Sequence, residues 1–242
     1  MYPQIDDCIN MIIKEGCKIV FTSAGSPKKY TQRFHEAGIK VAHVVSSSKF
    51  AKKCEEAGVD AVVCEGFEAG GHNGREETTT MCLVPQVRKT TSLPLIAAGG
   101  IASGKAWCAA EVLGAEGVQI GTLFALSEES SASQTFKTHC TNLEEGDTML
   151  CLKGLAPTRL VKNTLYNKVL EAEASGANKE ELLAILGTGA SKRGIFSDQE
   201  NDFENGEVEI GQIASSVKSI EPVANIMRRL IEEYNAVLQR FK

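Results

Sequence analysis

The sequence predicts an α/β fold with a parallel sheet, and three observations carry that expectation. First, a short unit recurs in which an amphipathic helix closes on a glycine and a β-branched apolar strand follows almost at once. It is found in Glu15-Gly-Cys-Lys-Ile-Val-Phe, Glu36-Ala-Gly-Ile-Lys-Val-Ala, Glu56-Ala-Gly-Val-Asp-Ala-Val-Val and Leu113-Gly-Ala-Glu-Gly-Val-Gln-Ile. Glycine just past a helix supplies the left-handed C-cap conformation. Second, the apolar runs alternate little with polar residues, as strands buried on both faces do. Third, each strand ends in small or polar residues: Ser23-Ala-Gly, Ser46-Ser-Ser, Gly70-Gly-His, Gly99-Gly-Ile and Gly121-Thr. Small residues at every carboxyl end describe the ligand face of a barrel or of an open doubly wound sheet.

In chain order, the β-branched runs place strands at residues 18–22, 40–45, 60–64, 94–98 and 117–120, with helices at 28–37, 48–57, 81–90 and 104–113 between them. Beyond residue 122 the βα rhythm stops, and residues 123–210 read as a lobe of helices and loops. Helices are expected there at 160–175 and 179–186, and residues 187–206, rich in Gly, Asp, Asn and Ser, read as a loop. Residues 222–241 carry Val223, Ile226, Met227, Leu230, Ile231, Tyr234, Val237, Leu238 and Phe241 at the spacing of one helical face, expected to pack into the core.

With 242 residues, 43% of them hydrophobic, the chain is long enough for a large core. A formal charge of −5 without a long basic run argues against nucleic acid or an anionic membrane as the main partner. No apolar run approaches the roughly 18 residues of a membrane span, and the first residues lack a signal pattern, so a cytoplasmic location is expected. The eight cysteines are scattered without a Cys-x-x-Cys pair, so free buried thiols are expected and no metal. Cys64, at a strand end, reads as a small core residue rather than a nucleophile.

Chemistry concentrates in Cys64-Glu-Gly-Phe-Glu-Ala-Gly-Gly-His-Asn-Gly, which runs straight off the apolar strand Asp60-Ala-Val-Val. Glycines let a ligand approach the backbone, and His72 can move protons near neutral pH. A glycine-rich turn with a solvated histidine is the bland reading. Glu65 and Glu68 are the acidic candidates in this loop, and no lysine sits at a strand's carboxyl end. Ala97-Ala-Gly-Gly-Ile-Ala and Gln119-Ile-Gly-Thr each put backbone amides at a strand-to-loop junction, a pairing that suits a phosphate. His35, His43 and His139 read as surface or satisfied core residues. Lys162, Lys168, Arg228, Arg229 and Lys242 read as solvated helix faces, and Arg159 as one half of a structural ion pair rather than a substrate contact.

Four segments resemble the nitronate monooxygenase (2-nitropropane dioxygenase) family of FMN-dependent (β/α)8 TIM-barrel enzymes, which includes the flavin-containing enoyl-acyl-carrier-protein reductase. They are Glu65-Gly-Phe-Glu-Ala-Gly-Gly-His-Asn-Gly, Leu83-Val-Pro-Gln-Val, Pro94-Leu-Ile-Ala-Ala-Gly-Gly-Ile-Ala-Ser-Gly and Gly114-Ala-Glu-Gly-Val-Gln-Ile-Gly-Thr, and the resemblance continues through Pro157-Thr-Arg and Gly211-Gln-Ile. It implies that His72 is the active-site histidine and that Ala69, Gly70 and Gly71 line the flavin. It implies further that Gly99 and Gly100, with Gly121 and Thr122, hold the FMN phosphate, and that Ala98 and Gln119 belong to the same cofactor site. Gly211 and Gln212 resemble a segment that returns on the substrate side. The division this implies is a barrel made of residues 1–124 and 215–242, with residues 125–214 as the smaller lobe.

A complete barrel needs about eight βα repeats. About five strands are legible here, and Met1-Tyr-Pro falls where the family is leaving its third strand. A truncated sequence, a variant completed by another chain and a shortened open sheet each account for this; truncation is favoured, and an open barrel would leave two unpaired strand edges. The expected activity is oxidation of nitronates or nitroalkanes by dioxygen with FMN. The close alternative is reduction of an enoyl thioester by NAD(P)H through FMN. A small-molecule substrate and dioxygen are the expected partners, and a homodimer is compatible with the sequence. A flavin-free phosphate-binding lyase or isomerase and an inactive fragment are the remaining readings.

Overall fold

The computed structural model describes residues 5–240. The expectations for Met1-Tyr-Pro, Phe241 and Lys242 fall outside them. The elements in chain order are α1 (Ile5–Lys14), β1 (Ile19–Thr22), α2 (Thr31–Glu36), β2 (Lys40–Val45), α3 (Ser48–Glu56), β3 (Ala61–Glu65), β4 (Gly71–His72), α4 (Thr80–Arg88), β5 (Leu95–Ala98), α5 (Gly104–Val112) and β6 (Gly117–Gln119). They continue with α6 (Thr122–Ala125), α7 (Gln134–Thr141), β7 (Thr148–Cys151), β8 (Thr158–Val161), α8 (Thr164–Ala174), α9 (Lys179–Leu186), α10 (Ala190–Phe196), α11 (Glu200–Glu204) and α12 (Val223–Arg240).

The five strands expected from the repeat form one all-parallel sheet in the order β1-β2-β3-β5-β6. Helices α1 to α5 cover one face, where Val41, Val45, Val62, Cys64, Leu95 and Ala97 meet Phe34, Leu83, Val84 and Val87 in the largest core cluster. The opposite face carries the smaller side chains Ala42, Val44, Ala61, Val63, Ile96 and Ala98. That contrast is the pattern of a barrel arc, with bulk outside and small apolar residues lining the concave side. Burial on both faces fails at the edge: Ile19 and Phe21 of β1 are 62% and 52% exposed, because no strand among the described residues pairs beyond β1.

The lobe departs from the expected helices and loops. β7 and β8 pair antiparallel, and β8 pairs antiparallel with β4, so a second, three-stranded sheet spans the lobe and the glycine-rich loop. All four residues of β8 are buried, so the period-two signal that marks a half-buried strand is missing from the sequence. The helix expected at 160–175 begins only at Thr164, where the Asn163 side chain accepts the Tyr166 amide as an N-cap. Within 187–206, expected as loop, lie α10 and α11; the polar residues that suggested a loop partly serve their ends, as in the 2.7 Å bond from Ser197 to Asp202.

Helix α12 packs on α5 so closely that a side chain at Gly104 would meet the Leu230 carbonyl and the Tyr234 amide, and the Trp107 and Tyr234 rings lie 4.7 Å apart. Of its apolar stripe, Ile226 and Leu230 are buried, whereas Met227, Ile231 and Leu238 are exposed, so only part of that face is core. All eight cysteines are free, but Cys8, Cys17 and Cys82 are exposed, contrary to the expectation of buried thiols. No helix of the described residues is long and apolar enough to cross a membrane.

Candidate functional site

The carboxyl ends of the parallel strands open into two adjoining cavities that share Glu65, the last residue of β3. The smaller, of about 270 Å³, is lined by Ala69, Gly70, Ala98, Gly99, Gly100, Gln119, Gly121 and Thr122, eight residues singled out from the sequence, together with Glu209, Ile210 and Ile213. The larger, of about 470 Å³, is lined by the Ser23–Pro27 turn, His43 to Ser46, and His72 to Gly74. His72 therefore lines the larger cavity and Gly70, Gly99, Gly100 and Gly121 the smaller, while Gly71, expected beside them, lines neither.

Backbone chemistry distinguishes the smaller cavity. No acceptor among the described residues takes the amides of Gly99, Gly100, Gly121 or Thr122. Thr122 Oγ1 accepts the Gly211 amide at 3.0 Å, which leaves its own hydrogen available. Free amides converging at strand ends form a cradle for an anion.

The loop that carries His72 is held from three sides. Its strand β4 pairs Gly71 with Arg159 and His72 with Thr158. The Asn73 side chain donates to the carbonyls of Ala69 and Gly71, and its amide donates to Pro157. Arg159, fully buried, donates through Nη2 to the Phe67 carbonyl at 2.8 Å and lies 4.5 Å over the Phe67 ring. Its hydrogen bonds go to the backbone carbonyls of Phe67 and Thr148, so among the described residues the expected ion pair is replaced by a clamp on the site loop. Glu68 is also structural: it accepts the Thr80 amide and hydroxyl and so caps α4.

Gly211 and Gln212 do return to the site, by close approach rather than by lining it. The Gln212 amide donates to Glu68, and a side chain on Gly70 would lie 2.4 Å from the Ile210 carbonyl carbon. Their neighbours Ile210 and Ile213 line the smaller cavity, while Gln212 borders two neighbouring pockets, one of which also touches Gly99 and Gly100.

Electrostatics single out two carboxyls. Burial pushes Glu65 up to about 7, and no group among the described residues donates to its side chain. Glu209 is raised by burial and by the charge of Glu207, against a hydrogen bond from Ser191 and the charge of His72. His43, buried and 2.7 Å from Thr22 Oγ1, is lowered by burial. Cys64 is pushed up to about 12 by burial, as suits a core thiol.

The description nitronate monooxygenase belongs to a family model that matches residues 3–233. The chain belongs to the nitronate monooxygenase family. A probable nitronate monooxygenase of Staphylococcus aureus strain JH9 is 32% identical over 96% of this chain and 66% of its own length. One of Staphylococcus saprophyticus is 37% identical over 69% of this chain and 50% of its own. The chain thus spans half to two thirds of the length of these family members. The structure of FabK from Thermotoga maritima superposes with a TM-score of 0.92 at 36% identity, over all of this chain and 75% of that one. A nitroalkane oxidase from Streptomyces ansochromogenes shares the fold, with a TM-score of 0.79 at 24% identity.

Three contributors to the site escaped the sequence reading. Glu209 lies more than 130 residues from the glycine loop, and nothing local marks it. His43 sits in an apolar strand and reads from the sequence as a surface or satisfied core residue. Ile195 reaches the smaller cavity from a helix that the composition disguised as loop.

Proposed function

We propose that the chain carries the FMN site of an oxidoreductase that oxidises nitronates or nitroalkanes with dioxygen. The observation that supports it most is that the amides of Gly99, Gly100, Gly121 and Thr122 find no acceptor among the described residues and that these four residues line one cavity beside the His72 cavity, in a member of this family. These amides and the Thr122 hydroxyl would hold the phosphate. Ala69, Gly70 and Gly71 would lie along the flavin, with Ala98 and Gln119 beside it. The cradle suits the group through its backbone donors and the Thr122 hydroxyl, while the carboxyls Glu65 and Glu209 stand in the wall of the same cavity. Bound FMN would supply the electron transfer.

The chain's own residues bind, orient and move protons. His72, exposed to the larger cavity, holds or takes a substrate proton and stabilises an anion beside it. Glu65, poised near neutrality between the two cavities, offers an O–H when protonated and an acceptor when not. The substrate would be a small molecule, and the working place the cytoplasm. A second reading, NAD(P)H-driven reduction of an enoyl thioester, uses the same histidine and glycines, and it stays open because the resemblance covers both activities.

Titration of FMN fluorescence with the protein tests the site, and phosphate should compete. Nitronate-dependent oxygen uptake, lost in His72→Ala, is the expected activity. NAD(P)H consumption with an enoyl thioester, and no oxygen uptake with a nitronate, would replace the first reading with the second. Absence of FMN binding would refute both.

A further inference from the structure

The amide-lined cavity suits an anion, yet its wall includes two carboxyls, Glu65 and Glu209. Two ionised carboxylates would oppose a phosphate there, so the protonation of these groups matters to what the cavity accepts.

Glu209 shows how a proton is kept. Ser191 Oγ lies 3.0 Å from Glu209 Oε1 and 2.8 Å from Glu207 Oε2. A serine hydroxyl has one hydrogen. If both carboxylates were ionised, that hydrogen could not serve both contacts fully, and the shortfall would set oxygen lone pairs against a carboxylate. One added proton resolves the count: Glu209 donates O–H to Ser191, and Ser191 donates O–H to Glu207. Like charges this close do not both ionise readily.

The other carboxylate oxygen, Glu209 Oε2, stands 2.5 Å from where a side chain on Gly71 would begin. Gly71 has φ +73, so the residue before His72 is both left-handed and without a side chain, and the carboxyl occupies the space. Glu209 thus reaches the loop that holds the site histidine.

We propose that Glu209 is a proton-carrying residue of the ligand cavity: the Ser191–Glu207 chain favours its neutral form, and binding of a phosphate-bearing ligand completes its protonation by taking up a proton there. This rests on the amide cradle of the proposed function. The step involves no electrons. As the anion enters, an ionised Glu209 gains an O–H bond, using a proton from solvent that can pass by way of Glu207 and Ser191. Release of the ligand reverses it.

The charged groups around Glu209 act in both directions. Glu207, through Ser191 of α10, favours the protonated form, and His72 on β4 favours the ionised form. Glu65 on β3 faces it across the same cavity. Arg193 of α10 is engaged with the carbonyls of Thr188 and Leu186, and Arg159 with that of Phe67.

Calorimetric titration of FMN in two buffers of different ionisation enthalpy, from pH 6 to 9, counts the protons taken up without relying on turnover. The wild-type chain should take up protons, and its affinity should fall by up to about tenfold per pH unit as the carboxyl ionises. Glu209→Gln, neutral at every pH, should bind FMN with a smaller uptake and a flatter profile. Glu207→Gln should shift the fall to lower pH, because a like charge is removed. Glu65→Gln separates the contribution of the other carboxyl. Equal proton uptake in wild type and Glu209→Gln would overturn the inference while leaving the flavin site intact. Failure of every variant to bind FMN would instead refute the cradle on which it rests.

Discussion

Replacing Gly70 by alanine tests the crossing on which the site depends. An added Cβ would lie 2.4 Å from the Ile210 carbonyl carbon and 2.6 Å from the Gly211 amide nitrogen, against an ordinary contact of at least 3.4 Å. Both obstacles are backbone, so the two chain segments must part by about 1 Å; no side-chain rotation relieves the clash. That displacement stretches the Gln212 to Glu68 bond, now 2.9 Å, and the Gly211 to Thr122 bond, now 3.0 Å, beyond hydrogen-bond range. Two bonds of about 1 kcal/mol each and an overpacking cost of about 1–3 kcal/mol give a loss of roughly 3–5 kcal/mol. Urea unfolding reads this directly: with a slope of about 2 kcal/mol/M, the midpoint should drop by about 2 M. Gly121→Ala is the control, because its φ of −92 suits any residue and an added Cβ meets nothing within 4 Å. Its stability should stay within about 0.5 kcal/mol of wild type while FMN affinity falls, since the new methyl stands among these amides. A wild-type midpoint for Gly70→Ala would refute the packing argument, and undiminished FMN affinity for Gly121→Ala would remove that residue from the cradle.

Burial raises Glu65 to about 7 from an ordinary 4.5, so the folded chain keeps a proton that the unfolded chain has already released. The stability this contributes is complete below about pH 4.5 and is lost as pH rises through about 7, a change of about 3 kcal/mol. Glu65→Gln should flatten that slope in denaturant unfolding followed across pH 5 to 8; an unchanged slope would show that Glu65 titrates as an ordinary surface carboxylate. Arg159→Met should lose the charge-assisted bonds to the Phe67 carbonyl, about 2–3 kcal/mol, and lower Tm by about 4–12 °C. Arg159→Lys should not restore it, since an ammonium does not reproduce the planar fork; recovery in the lysine variant would count against the clamp.

How much of this was legible in the sequence follows from the range of the forces involved. The five parallel strands, their order of appearance and the helices between them are written locally, in glycine C-caps and β-branched runs, and the strands stand within a residue or two of where those signals put them. That Gly99-Gly100 and Gly121-Thr122 would meet at one cavity was legible for the same reason, because they are strand-end signals that need no partner to be recognised. His72 was marked by its glycines, but not its pairing with Thr158, because β8 is buried along its whole length and shows no alternation.

Arg159 shows the limit most plainly. Its charge suggested an ion pair, and only the folded arrangement, which brings the Phe67 carbonyl and ring to it across about ninety residues of chain, shows what the charge does. Glu209 depends still more on the fold. A glutamate in Val-Glu-Ile is unremarkable as sequence, and its character comes from burial, from Ser191 and Glu207 around it, and from a glycine more than 130 residues away that leaves it room. Local chain preferences therefore determined the parallel scaffold and the glycine loops. Tertiary packing alone decided which charges are buried, which amides find no acceptor among the described residues and which carboxyls are raised, because desolvation and charge pairing depend on what the fold brings together through space.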